Sequence, residues 1–321
     1  MIGLAIPVAA QDAVVDGLMN PRGIAFDSEG NLWVVEAGNG GDLQAQGPFG
    51  VTAGGASGAL VKVTPDGEVS RPILTLPSMD IGESRGAQSV AVTDESIWLL
   101  IGETQLAFPL SHSLIELDKT YTRIKTFIDL YTIEAQQNPD GDIVSSNPTD
   151  FAIGADGDPN KIVIASAGCN CVLSWTPSDG VQVYASWGID INPVPTTVAV
   201  GPDGKVYVSF LTGFPFPQGG SSIEVYSNGE LVKTYTGLTS VTDILVTAEG
   251  TIYAVEHGVF SNQGTWENGR VVMVSDDGIT PVLENLHRPW GLAQDAEGNL
   301  FVSIGAAGGT GEGAVIPVPM P

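Results

Sequence analysis

The chain has 321 residues, with 12 basic against 37 acidic side chains and a formal net charge of -25. That field opposes binding to nucleic-acid phosphates and anionic lipid, and no basic cluster offsets it. Apolar residues make up 43%, enough for a core, while 41 glycines and 21 prolines suit short strands and tight turns and exclude a helical bundle.

Residues 1–10, MIGLAIPVAA, are apolar and end in small side chains. They read as the remnant of a signal peptide cleaved near Ala10 or Gln11, and they are too short to span a bilayer. No other segment has the continuous apolar length of a spanning helix, so no transmembrane anchor is expected. Residues 11–321 are expected to form a single domain, secreted to an extracellular or periplasmic compartment and monomeric.

From Pro21 a unit recurs: PRGIAFDSEGNLWVVEA, then AQSVAVTDESIWLLIG from Ala87, PTDFAIGADGDPNKIVIASA from Pro148 and PTTVAVGPDGKVYVSF from Pro195. VTDILVTAEGTIYAVEH from Val241 and PWGLAQDAEGNLFVSIG from Pro289 complete the series. Each is a short apolar strand, an acidic turn that contains glycine in five of six cases, and a second strand. Third strands follow at Ala59, Ser113, Cys171, Ser222, Arg270 and Ala314, and a fourth strand follows in every unit but the last. This periodicity predicts an all-β fold, a six-bladed β-propeller with four-stranded blades. VVDGLMNPRG from Val14 matches VLENLHRPWG from Val282, so Ala13–Asp16 is expected to supply the missing strand by pairing with Ala314–Val318 and closing the ring. Cys169 and Cys171 form a C-x-C pair, either a local disulfide or two small buried residues.

In such a ring the first strands line a central channel. Arg22 and Gly23, with their counterparts Gln88–Ser89, Thr149–Asp150, Thr196–Thr197, Thr242–Asp243 and Trp290–Gly291, are expected at its mouth. Long loops on that face, over 38–58, 102–111, 211–220 and 257–269, carry Phe49, Phe108, Phe214, Phe216, Phe260 and Trp266. These rings either roof a pocket or pack on one another to hold the loops down. A small molecule, a glycan or an extracellular protein is the expected partner, with Arg22, Gln88, Asp150, Thr197, Asp243, His257, Trp266 and Trp290 as ligand-binding candidates.

His112, His257 and His287 lack metal-site spacing. Glu256–His257, with Arg22 and Asp243, is the candidate acid–base group. Asp150 and Asp243 are oxygen ligands of the kind Ca2+ takes.

The stretches GLMNPRGIAFDSEGNLWVVEAG, IDLYTIEAQQNPDG and PTTVAVGPDGKVYVSFLTGFPFPQGG resemble the ScyD/ScyE family, secreted NHL-like six-bladed propellers related to proteins of the scytonemin gene cluster. The likeness runs from about Val14 to His257. It implies a secreted propeller and carries over no established catalytic residue. Secreted propeller lactonases and gluconolactonases hold a divalent ion through Glu, Asn and Asp, and Glu36, Asn147, Asp150 and Asp243 echo that set. The alternative function is therefore a metal-assisted hydrolase or lactonase-like enzyme acting at the channel mouth.

Overall fold

The computed structural model describes residues 13–47, 50–106, 108–307 and 311–320. The expectations for residues 1–10 and for Phe49 lie outside the described residues.

Among the described residues six antiparallel sheets of four or more strands follow one another along the chain, with a two-stranded one, Val259–Phe260 and Trp266–Glu267, inserted in the fifth. The second, for example, runs Ala87–Val92, Ser96–Ile101, Ser113–Asp118 and Ile124–Asp129. The fourth runs Pro195–Val200, Val206–Phe210, Ser221–Ser227 and Glu230–Leu238. The turns have local causes. In the first sheet Asp27 Oδ1 accepts the N–H groups of Glu29 (3.0 Å) and Asn31 (2.9 Å), and in the sixth Asp295 Oδ1 does the same for Glu297 (3.0 Å) and Asn299 (2.8 Å). Gly30 and Gly298 complete these two turns at φ +79° and +89°, where a side chain would be strained.

Second strands such as Leu32–Glu36, Ser96–Ile101 and Ile162–Ser166 are buried at every position. The reason is that both faces of each sheet are covered. One apolar cluster lies between each sheet and the next: Trp33, Leu60 and Leu76 of the first sheet meet Leu99 and Ile115 of the second. The series ends with Ala293 and Val315 of the sixth sheet against Ile24, Val34 and Val61 of the first. The core is thus distributed as wedges between sheets. The first strands also touch in chain order, and that of the sixth sheet touches that of the first.

One backbone bond repeats in all six sheets. A residue one or two positions after the second strand donates to the carbonyl leading into the first: Ala37 to Asn20, Gly102 to Gly86, Ala167 to Asn147, Leu211 to Val194, His257 to Ser240 and Ala306 to Arg288, at 2.8–3.1 Å. It fixes the start of every first strand, and hence the channel mouth.

The sixth sheet consists of Leu292–Gln294, Leu300–Ile304, Gly313–Val318 and, from the other end of the chain, Val15–Leu18. The N-terminal strand therefore lies two residues beyond the expected Ala13–Asp16. Its register is Val15 opposite Val315 and Leu18 opposite Gly313, with a shift between them where Gly17 sits at φ +68°. Asp16–Gly17 is a bulge inside the strand.

The expected loop over 38–58 is largely strand: Leu43–Gly47 pairs with Gly50–Val63, which also pairs with Val69–Asp80. Close approach explains its glycines, since a Cβ on Gly55 would lie 2.5 Å from the carbonyl oxygen of Gly40. The α-helix Tyr131–Gln137 interrupts the otherwise all-β chain. Among the described residues no helix is long and apolar enough to cross a membrane.

Candidate functional site

The register of the first strand shifts in the first five sheets, between Pro21 and Ile24, Ala87 and Ser89, Pro148 and Asp150, Pro195 and Thr197, and Val241 and Asp243. These bulges re-aim the side chains expected at the channel mouth. Arg22, Gln88, Thr149, Thr196, Thr242 and Trp290 are all buried. The residues one position further on form a polar belt. Ser89 Oγ donates to Asp150 (2.7 Å), Thr197 Oγ1 lies 2.7 Å from Asp150 and 3.1 Å from Asp243, and Leu292 N donates to Asp243 (2.7 Å).

Asp150, Asp243 and Ser89 face a cavity of about 300 Å³ lined otherwise by first-strand residues such as Ile153, Val200 and Val246. Enclosure in the channel wall raises the pKa of both aspartates, and the charge of Asp150 pushes Asp243 higher still. Thr197 has one hydroxyl proton and faces two carboxyls, so a shared proton on the aspartate pair suits this geometry.

Of the four residues expected to hold calcium, Asp150 and Asp243 share this site and the other two are engaged elsewhere. Glu36 accepts Met19 N at 2.8 Å and pairs with Arg71 at 3.0 Å, while Asn147 Oδ1 accepts Glu103 N at 3.3 Å. The aspartate oxygens already face hydroxyl and N–H donors, including Val198 N (3.2 Å) and Ile244 N (2.8 Å). Glu36 is not gathered with Asp150 and Asp243 into one cluster of carboxylates. Glu256, the candidate acid, occupies the same place in the fifth sheet as Glu36 in the first: it accepts Thr239 N at 2.7 Å and pairs with Arg270. Its carboxylate ties the loop before the first strand to the third strand through these two partners.

On the loop-rich side of the belt Arg22, His257 and Trp290 come together. The Arg22 guanidinium is wholly buried and lies 3.7 Å from the centre of the Trp290 ring. Its Nη2 donates to Ser84 O at 2.7 Å and approaches Glu83 at 3.6 Å, whereas Nε and Nη1 meet no acceptor. Burial lowers its pKa to about 10, with Glu83 opposing the shift and the charge of Arg85 adding to it. His257 Nδ1 lies 2.9 Å from Pro289 O. A carbonyl only accepts, so the proton sits on Nδ1 and Nε2 is the basic atom of a ring that burial holds neutral, its pKa lowered to about 4.

Above His257 the aromatic side chains stack on one another. Trp266 lies 4.9 Å from His257 and from Phe216, and Phe260 lies 5.0 Å from Trp266 and 5.2 Å from Phe216. Phe214 caps the stack and is 79% exposed. Of the two roles weighed for the loop aromatics, packing on one another is what Phe214, Phe216, Phe260 and Trp266 do.

Three features were not read from the sequence. Arg85 and Arg288 stand near enough for their charges to act on Arg22 and His257 respectively, so three of only six arginines gather at the mouth of an acidic protein. Nε of both Arg85 and Arg288 is buried without an acceptor. The scarcity of arginine, and the place of both residues just before a first strand, was the available signal. A cleft of about 700 Å³ opens beside the mouth, lined by Met79, Glu103, Gln105, Leu106, His112 and Tyr131 among others. Burial lowers the pKa of His112 to about 4. His287 is exposed and belongs to neither site. Thirdly, Glu134 lies beside Cys169 and Cys171, which are joined as a disulfide, one of the two expected alternatives for the pair.

No protein-family model matches the sequence, and no curated protein matches it. Solved structures do. A gluconolactonase from Xanthomonas campestris is similar with a TM-score of 0.60 at 14% identity, over 96% of this chain and 89% of that one. A streptogramin B lyase has a TM-score of 0.53 at 14% identity, over 98% and 96%. A catalytically inactive histidine-to-alanine virginiamycin B lyase from Staphylococcus aureus, in complex with quinupristin, has a TM-score of 0.53 at 14% identity, over 98% and 87%. The fold is that of a β-propeller. At such identities the likeness carries the architecture alone.

Proposed function

We propose that the chain is a closed six-bladed propeller of the ScyD/ScyE type, secreted, which binds a small organic anion at the channel mouth on its loop-rich face. Six wedge-like clusters and the pairing of Val15–Leu18 with Gly313–Val318 support closure. The reading of the ligand rests on Arg22. A buried guanidinium with two nitrogens lacking an acceptor is costly, and a ligand carboxylate would supply both the acceptor and the charge. Trp290, Trp266 and Phe216 offer faces for the apolar part of such a ligand.

The experiment is calorimetric titration with a panel of aromatic carboxylates, each beside its methyl ester. The acids are expected to bind and the esters to bind at least about tenfold more weakly, the scale of one hydrogen bond to a charged group. Arg22→Met should weaken the acids by a similar factor, and Arg288→Met less. Equal affinity for acids and esters would remove the anion reading.

A lyase-like or hydrolase-like reading has one observation in its favour. His257 is neutral, with Nδ1 held by Pro289 O and Nε2 left as a base near Arg22. If a bound ligand is turned over, His257→Ala is expected to abolish turnover and leave binding largely intact.

A further inference from the structure

The helix Tyr131–Gln137 carries one buried side chain, Glu134, and that side chain points at the cysteines. The Glu134 carboxylate and the sulfurs of Cys169 and Cys171 all lie within 4.8 Å of one another. This is the one such cluster of three or more His, Cys, Asp or Glu among the described residues. All three residues are at least 97% buried. Neither oxygen of Glu134 has a well-placed donor, although the hydroxyls of Ser146 and Ser166 are close, and Ser146 Oγ itself has no partner. None of the ion pairs among the described residues reaches Glu134. A carboxyl group buried beside two cysteines that pack among Leu130, Leu173 and Ile164, with neither oxygen paired, is an incomplete arrangement, and its burial favours the protonated form.

We propose that, when the disulfide is reduced, Glu134, Cys169 and Cys171 bind a thiophilic divalent cation such as Zn2+. Two thiolates and a carboxylate are the donor types Zn2+ takes, and because ligand atoms around a tetrahedral zinc stand about 3.5 Å apart, the two sulfurs, bonded to each other here, must separate on reduction. The fourth position falls to water or to one of the two serine hydroxyls. The frame holding these ligands is preset. Asn170, between the two cysteines, sits at φ +44°, donates to Asp140 Oδ2 at 3.2 Å and accepts Val194 N at 3.1 Å. The residue between the two cysteines is therefore anchored by neighbours on two sides, independently of the S–S bond.

The chemistry balances with a dithiol as reductant. It breaks the S–S bond, delivers two electrons and two protons to make two thiols, and leaves as its own cyclic disulfide. Zn2+ then displaces the two thiol protons and any proton on Glu134.

The test uses the full chain reduced with a phosphine, which takes up the oxygen of water as the disulfide becomes two thiols. Cd2+ is the probe, because thiolate-to-metal charge transfer reports sulfur ligation directly. The reduced protein is expected to bind one Cd2+ with that absorption, and Zn2+ in competition, while the oxidised protein shows neither. Glu134→Gln should lower affinity about tenfold or more, and Cys171→Ser should remove the charge-transfer band. Folding of each protein is followed by near-ultraviolet circular dichroism. A folded reduced chain without the band overturns the site, as does loss of folding on reduction. Equal affinity in the folded Glu134→Gln variant removes Glu134 from the ligand set.

Discussion

A chain lacking residues 1–18 is expected to melt well below one lacking residues 1–12. The difference isolates the strand Val15–Leu18, whose Leu18 is fully buried and whose Val15 is 7% exposed, both in the cluster formed with Val315, Ile24 and Val61. Burying each of these side chains contributes about 1.5–3 kcal/mol. The ladder to Gly313–Val318, together with Val14 N to Val315 O at 2.9 Å, adds bonds worth about 0.5–1.5 kcal/mol each. Several kcal/mol is a large part of a typical margin of about 5–15 kcal/mol. The shortened chain also exposes the edge of Gly313–Val318, a template for pairing between molecules. Thermal melts with light scattering check both effects; equal melting temperatures would mean that this edge is covered some other way.

Acidification from pH 7 to 4.5 is expected to remove about 2–3 kcal/mol of stability for each of His112 and His257. The sign follows from their pKa values, lowered by burial from 6.5 to about 4. In that window the unfolded chain takes up a proton on each ring and the folded chain does not, so the contribution is full above 6.5 and lost as pH falls through it. Asp150, Asp243 and Glu134 act in the opposite direction, because burial raises their pKa and their proton is held more tightly in the folded state. The comparison must therefore be made against a His112→Gln/His257→Gln protein, in which the carboxyl groups are unchanged. Urea unfolding at the two pH values should show a smaller acid loss in the double variant. An identical loss would mean that neither imidazole is held neutral by the fold.

The strands were legible because each sheet is built from the same alternation of apolar runs and acidic, mostly glycine-containing turns. The channel belt was legible for the same reason, since Ser89, Asp150, Thr197 and Asp243 occupy one position of the repeat. What escaped lies outside the repeat. Residues 43–58 contain few β-branched or aromatic side chains, and the extended form of 43–47 and 50–58 comes from pairing with each other and with Val69–Asp80 alongside. Glu36 and Glu256 read as metal or acid–base groups because their arginine partners, Arg71 and Arg270, are 35 and 14 residues away, on other strands. Gly17 sits in a strand with positive φ, and that bulge moved the N-terminal strand by two residues from its expected place. Glu134 and the C-x-C pair meet only because the helix Tyr131–Gln137 folds over the neighbouring sheet.

The wedge-like distribution of the core has a consequence for how the molecule comes apart. A linear stack of sheets frays from its ends, because a terminal unit has one neighbour and gives up one interface when it opens. Here the cluster of Val15, Leu18, Ala293 and Val315 with Ile24, Val34 and Val61 gives the first and sixth sheets the same two-sided support as the rest. Opening any sheet forfeits two apolar interfaces at once. Local openings are then confined to the fourth strands and the loops, and the first and second strands, which carry the channel mouth, are released only when the whole domain unfolds.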